Sequence, residues 1–318
     1  MRNRPSRLFL NVMGVLVLLI GLAACGGEAS QAAGRDEPLR VGYQRFGALT
    51  LVKARGVAPD VTWSLFESGP AATEALKAGS IDVAYTGEAP PIFAAAGRID
   101  FKIISTSEEV PQGEAVLVKE DSGINGFEDL KGKSIALNKG SNVHWLLVRL
   151  LEKHGMSIDD VNVKYLKPAE GRPAFDNGQV DAWIIWDPYF ALAERPGVKV
   201  LADATGLAGN REYLLASPEA LETKSAQIER LLKQLRETTD WGIAHPKERA
   251  QAMAPELKIP EDVAERALAR SARPIAPVNA GIGAELQRIA DGFTALKLIP
   301  GKVDIAGRVD DRFSEVLR

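Results

Sequence analysis

The segment ALKAGSIDVAYTGEAPP, residues 75–91, reads as a helix end, a glycine stop, a strand and then a loop of small and hydroxyl residues. Ser68-Gly69-Pro70 opens its helix with a cap residue and an early proline. Ala71, Ala72, Ala75 and Leu76 share one face, and Gly79 ends it. Ile81 to Tyr85 is then a strand. Later, Ala174-Phe175-Asp176-Asn177-Gly178-Gln179-Val180-Asp181 repeats the order of helix end, glycine and strand. The echo predicts two similarly wound halves and not a solenoid.

Working outward, strands are predicted at Leu39 to Tyr43, Val61 to Phe66 and Phe101 to Ser105, with helical spacing from Gly47 to Arg55. This β-α-β-α-β run is the signature of an α/β layer with parallel strands. The middle keeps the rhythm: strand Ser134 to Leu137, helix Asn142 to His154, strand Val161 to Leu166, a short helix to Phe175, and strands at Val180 to Trp186 and Val198 to Leu201. From Ser225 onward the spacing is helical, with stripes at Ile228, Leu231, Leu232, Leu235 and at Leu286, Ile289, Phe293, Leu296. These helices should pack onto a sheet already formed.

The 318 residues are 46% hydrophobic and 25% charged, with a net charge of −3. That is globular composition, long enough for two domains. The acidic balance argues against a broad nucleic-acid surface. The single cysteine excludes an intramolecular disulfide framework.

That cysteine has its own context. Arg2, Arg4 and Arg7 precede an apolar stretch from Leu8 to Ala24, which ends Leu22-Ala23-Ala24-Cys25. The pattern is that of a signal peptide over 1–24 with small residues at the cleavage site. It resembles a bacterial lipobox, which implies lipid on Cys25. A transmembrane anchor is the alternative, since the stretch approaches spanning length. Residues 25–37, rich in Gly, Ala, Ser and charge, read as a flexible tether. An exported protein, held at a membrane surface by lipid, is expected.

Catalytic patterns are missing: no G-x-S-x-G, no H-E-x-x-H and no G-x-x-x-x-G-K-[ST]. His144, His154 and His245 have no partner at metal spacing. No enzyme activity, cofactor or metal is expected. Chemistry gathers instead beyond the predicted C-terminal ends of the strands, where α/β sheets bind ligands. Gln44, Arg45 and Phe46 follow the first strand; Thr86, Gly87 and Glu88 the third; Gly140, Ser141 and Asn142 the one from Ser134; Trp186, Asp187 and Tyr189 the one from Val180. Loops that run into helix N-termini suit an anion. Small residues at Thr86, Gly87, Gly140 and Ser141 allow close approach. Aromatic Tyr43, Phe46, Trp186 and Tyr189 suit an apolar tail. The bland readings are that Ser141 and Thr86 only cap helices, Gly140 only turns the chain, and Trp186 and Tyr189 only fill a core. His144, in the first turn of its helix, reads by default as a neutral side chain facing solvent.

The runs LRVGYQ (39–44), ALKAGSIDVAYTGEAPPIFA (75–94), DLKGKSIALNKGSNVHWLLVRLL (129–151), AFDNGQVDAWIIWDPYFA (174–191) and PVNA (277–280) resemble the aliphatic sulfonate-binding branch of the substrate-binding proteins of bacterial ABC importers. The resemblance implies a two-lobed periplasmic-binding-protein-like (type II) α/β fold, its helical C-terminal region packed on lobe one. Lobe one would be 38–115 with 216–318, and lobe two 116–215, with chain crossings near 115–119 and 215–218. It implies a cleft lined by Gln44, Thr86, Gly87, Glu88, Ser141, Asn142, His144, Trp186 and Asp187. It also implies a sulfonate ligand, and delivery by a monomer to a membrane permease and its ATPase. Glu88 and Asp187 pose a question, because a bare carboxylate repels a sulfonate. Either acid would face a polar group of the ligand or hold donors in place from behind. A sulfonate only accepts hydrogen bonds, so its site should be all donors. Taurine, nitrate or a thiamine- or riboflavin-type precursor is the alternative ligand. A ligand sensor is the alternative role.

Overall fold

In the computed structural model the described residues are 37–318 except Ala272. The expected signal peptide, Cys25 and all of the tether but Glu37 lie outside them. Two mixed sheets organise the fold. Sheet one holds β1 (Leu39–Gln44), β2 (Val61–Phe66), β3 (Val83–Gly87), β4 (Lys102–Ser107), β10 (Glu212–Ala216) and the two-residue β11 (Ile275–Ala276), in the order β11-β4-β10-β3-β1-β2. Sheet two holds β5 (Glu114–Lys119), β6 (Ser134–Leu137), β7 (Asn162–Tyr165), β8 (Ala182–Trp186) and β9 (Val198–Asp203), in the order β7-β6-β8-β5-β9.

The two orders are the same pattern. β2, β1, β3, β10 and β4 correspond in turn to β7, β6, β8, β5 and β9. In each sheet the first strand after a crossing is antiparallel to its neighbours: β10 to β3 and β4, β5 to β8 and β9. The sequence echo is where the match can be read atom by atom. Gly79 and Gly178 both adopt left-handed φ, 67° and 69°, which glycine tolerates without a Cβ clash. Three residues later Asp82 accepts the Arg40 N–H at 2.8 Å, and Asp181 accepts the Ser134 N–H at 2.7 Å. One carboxylate in each half thus pins the start of the neighbouring strand.

The expectation of purely parallel layers is corrected. β3 and β4 are not neighbours, because β10 lies between them, antiparallel to both. Tyr213, Leu214, Leu215 and Ala216 are all buried. A continuous apolar run needs cover on both faces, which a central position supplies. The same holds for β5, whose Ala115, Val116, Leu117 and Val118 are fully buried. The chain passes between sheets over 108–113 and 204–211. The spans 115–119 and 215–218, where crossings were expected, lie in β5 and at the end of β10.

Helices cover both sheets: α1 (Ala48–Ala54), α2 (Gly69–Lys77), α3 (Pro90–Ala96), α4 (Asn142–Lys153), α5 (Pro168–Asp176) and α6 (Tyr189–Ala193). The C-terminal region adds α7 (Pro218–Thr223), α8 (Ser225–Ala244), α9 (Pro246–Leu257), α10 (Glu261–Ala269) and α11 (Ala280–Ala295). Ile228, Leu231, Leu232 and Leu235 of α8 join Val41, Leu49, Val52 and Tyr85 in the core of sheet one. The C-terminal helices also reach the other half. Phe293 of α11 meets Trp145 of α4 at 5.4 Å between ring centroids, and Ala191 of α6 packs with Met253 and Leu268. No helix among the described residues is long and apolar enough to cross a membrane.

The run PVNA has a local explanation. Asn279 Oδ1 accepts the N–H groups of Gly281 and Ile282 at 2.8 and 3.1 Å, capping α11. The residue is exposed, so its removal isolates the cap. Asn279→Ala is expected to lower stability by about 1 kcal/mol in urea unfolding, with the slope unchanged.

Candidate functional site

A cavity of about 60 Å³ lies where the strand tips of the two sheets meet. Sheet one contributes Gln44 and Phe46 from the end of β1, Tyr85, Thr86 and Gly87 from β3, and Gly69 and Pro90 from helix starts. From the sheet-two side come Ser141 and Asn142 at the start of α4, with Trp186 and Asp187 at the end of β8. The crossings contribute Gly113 and Asn210. Glu212, Ser271 and Arg273 complete the lining.

Two helix N-termini face this space from opposite sheets, α2 at Ser68–Gly69 and α4 at Ser141–Asn142. First-turn N–H groups lack intrahelical acceptors and carry partial positive charge. α3 helps less, because Pro90 and Pro91 have no N–H. Close packing keeps side chains out of the way. A Cβ on Gly69 would lie 2.5 Å from Pro90 Cγ, and one on Gly87 would lie 2.1 Å from Asn142 Oδ1.

Asn142 locks the wall together. Its Oδ1 accepts the Ala89 N–H at 3.4 Å, and its Nδ2 donates to Asn210 Oδ1 at 2.9 Å. Asn210 Nδ2 in turn donates to Val110 O at 2.9 Å. One amide pair therefore ties sheet one, α4 and both crossings. The hydroxyls of Thr86 and Ser141 donate to the carbonyls of Gly87 and Asn138, at 3.1 and 2.7 Å. Gln44 Nε2 donates to Tyr85 O at 3.2 Å.

The lining carries two acids, Asp187 and Glu212, and one cation, Arg273, each acid with an arginine beside it. Asp187 is 2% exposed and accepts from Arg270 Nε and Nη2, both at 3.0 Å, and from the Ala191 N–H. Burial raises its pKa and Arg270 opposes that rise. Its charge is therefore spent on Arg270, which also pairs with Glu194 at 2.9 Å. Arg273 is 6% exposed; it donates to Asn210 O and stands 3.5 Å from Glu212. Behind it lies Arg249, whose pKa burial pushes down to about 10, and which borders a second small space with Glu212 and Arg273. Two arginines thus face one glutamate.

The structure brings Gln44, Phe46, Thr86, Gly87, Ser141, Asn142, Trp186 and Asp187 to one cavity. Glu88, Gly140 and His144 are not among its lining residues. Gly140, at φ 73°, sits against Phe93. His144 does not face solvent, contrary to expectation. It is fully buried among Phe93, Tyr165 and Phe293, and its Nδ1 accepts the Gly140 N–H at 3.2 Å. Burial first, then the charge of Lys139, pushes its pKa down to about 4, so it is neutral at pH 7. Glu88 is fully buried behind Gly87. Gly69, Asn210, Glu212, Ser271 and Arg273 were not foreseen. Only Gly69 carried a local signal, the helix start at Ser68-Gly69-Pro70.

Residues 60–249 match the family model described as NMT1/THI5 like. The chain belongs to this family. An Escherichia coli (strain K12) protein that carries the name of an aliphatic sulfonates-binding protein is 36% identical over 305 residues, 93% of this chain and 95% of that one. The alkanesulfonate-binding protein of Xanthomonas axonopodis pv. citri, solved with MOPS bound, is 34% identical with a TM-score of 0.81. That match covers 87% of this chain and 99% of the other. The family likeness and the two matched sheets establish the periplasmic-binding-protein fold expected from the sequence. The desulfurization enzyme DSZB shares that fold at a TM-score of 0.69 and 15% identity, covering 88% of this chain and 98% of that one.

Proposed function

We propose that this protein captures an aliphatic sulfonate between its two halves and hands it, unaltered, to an ABC permease. The observation that carries the reading is the lining itself. Helix N-termini from both sheets and the Arg273 guanidinium converge on a cavity in which Asp187 is neutralised by Arg270 and Glu212 stands 3.5 Å from Arg273. A permanently ionised acceptor-only group fits such a wall. Sulfonate, over nitrate or carboxylate, is supported by the relatives named above. The lining holds no nucleophile with a base beside it, so binding without bond cleavage is the role it supports.

The halves would close about the crossings 108–113 and 204–211, in a hinge motion. Export, lipid on Cys25 and action as a monomer at the membrane surface belong to the same proposal. They are supported by the arginine head, apolar run and small-residue site that precede Cys25.

The test is a thermal-shift and calorimetry panel on the purified protein. Short alkanesulfonates at a hundredfold excess over Kd should add about 2.7 kcal/mol of stability. A flat melting temperature across the sulfonates, with a rise for nitrate or a vitamin precursor, overturns the sulfonate reading.

A further inference from the structure

Glu88 and Glu114 form a buried acid pair that ligand contact leaves unused. Both are fully buried. Glu88 follows the last residue of β3, in sheet one. Glu114 is the first residue of β5, in sheet two, paired across the ladder with Trp186. Their neighbours Gly87 and Gly113 line the cavity, so each acid stands one residue behind its wall.

Neither acid has the partners an ion needs. Glu88 Oε2 accepts the Arg211 N–H at a long 3.4 Å, and the Asn210 N–H also favours its charged form, but burial outweighs both. Glu88 Oε1 and both oxygens of Glu114 have no hydrogen-bond partner among the described residues. The cations in reach are engaged elsewhere. Arg211 pairs with Glu285 and Glu109, both at 3.1 Å, and donates to Ser107 O. Arg273 is held by Asn210 O and Glu212. The remaining titratable groups that face the pair are Glu285 on α11 and Tyr213 on β10. A buried carboxylate in this state is costly, whereas a proton supplies the missing donor.

We propose that Glu88 and Glu114 are both protonated when the halves are closed, so that capturing an anion takes up protons from solvent. This deepens the proposed function and rests on its closing motion. The environment pushes in the same direction. Burial, with Glu285 adding to it, raises Glu88 to about 7, and burial with the charge of Glu88 raises Glu114 well above its ordinary value. When the halves part, water reaches the acids and they ionise near their ordinary value of about 4.3. Closure therefore gains protons between that value and the raised ones. Affinity is greatest on the acid side and falls as pH rises, about tenfold per pH unit for each proton taken up.

Calorimetry with ethanesulfonate in two buffers of different ionisation heat, from pH 5.5 to 7.5, reads the uptake directly. Wild type should take up more than one proton per ligand at pH 5.5, with Kd weakening by more than tenfold per unit there. Glu114→Gln, and as a second variant Glu88→Gln, should each lower the uptake by about one proton and flatten the profile in proportion. No uptake in wild type, or uptake unchanged from wild type in both variants, overturns the pair. If ethanesulfonate binds at no pH, the sulfonate reading fails by itself. The acids are then judged by the same calorimetry with whichever anion of the panel raises the melting temperature, and no uptake with that anion overturns the proposal.

Discussion

Ser141→Asp is expected to abolish sulfonate binding while the protein stays folded. Ser141 is 4% exposed, lines the cavity and occupies the N-cap position of α4, where its hydroxyl donates to Asn138 O and makes no cap bond. Aspartate is as good a cap as serine, so the helix keeps its start. The added carboxylate, however, sits where the ligand's anion must approach. Two like charges about 4 Å apart repel by about 4 kcal/mol at an effective dielectric constant near 20. That is about three orders of magnitude in Kd. Ser141→Ala is the control, because it leaves the backbone N–H groups of α4 in place. Calorimetry gives the affinities and a melting curve confirms the fold. Unchanged affinity in the aspartate variant removes Ser141 from the site.

Arg270→Ala should damage stability and binding together. Asp187 and Glu194 share this guanidinium, and among the described residues Asp187 has no other cation beside it. Removing one member of a buried pair strands the other charge, at about 3–5 kcal/mol. Arg270 is 21% exposed, which places the loss at the lower end, about 3 kcal/mol. The stranded Asp187 also turns the cavity wall negative, so anion affinity drops. Adding Asp187→Asn removes that charge while the amide oxygen still accepts the Ala191 N–H. Urea unfolding of the double variant should recover most of the stability. A single variant as stable as wild type would show that Asp187 does not depend on Arg270.

What the sequence discloses is local. The glycine stops at Gly79 and Gly178, the apolar face of α4 and the alternation of β1 all follow from spacing within a few residues. Strand order is not local. That β10 separates β3 from β4 depends on a segment more than a hundred residues away. Its clue, the unbroken run Tyr213 to Ala216, says that a strand is covered on both faces but not by what. The site divides along the same line. Strand-tip residues such as Thr86, Gly87, Ser141 and Trp186 are found by their position after a strand. Arg273 stands in an irregular stretch between α10 and β11, where no periodicity marks it. Asp187 posed an electrostatic question whose answer, Arg270, lies 83 residues further along the chain. His144 shares a turn with Ser141 and Asn142, yet points into the aromatic cluster around Phe293. Proximity in sequence did not separate a wall residue from one behind it.

The strand that each sheet receives across a crossing is seated in that sheet's interior and not on its rim. The halves are interlaced rather than strung end to end. A gene fragment that stopped at either crossing would encode a sheet with an empty slot and raw backbone on both sides of it. Such a body plan resists being divided or shuffled as modules. Only the outer strands, β2, β7, β9 and the two-residue β11, leave room for the chain to grow by insertion without unpicking its neighbour.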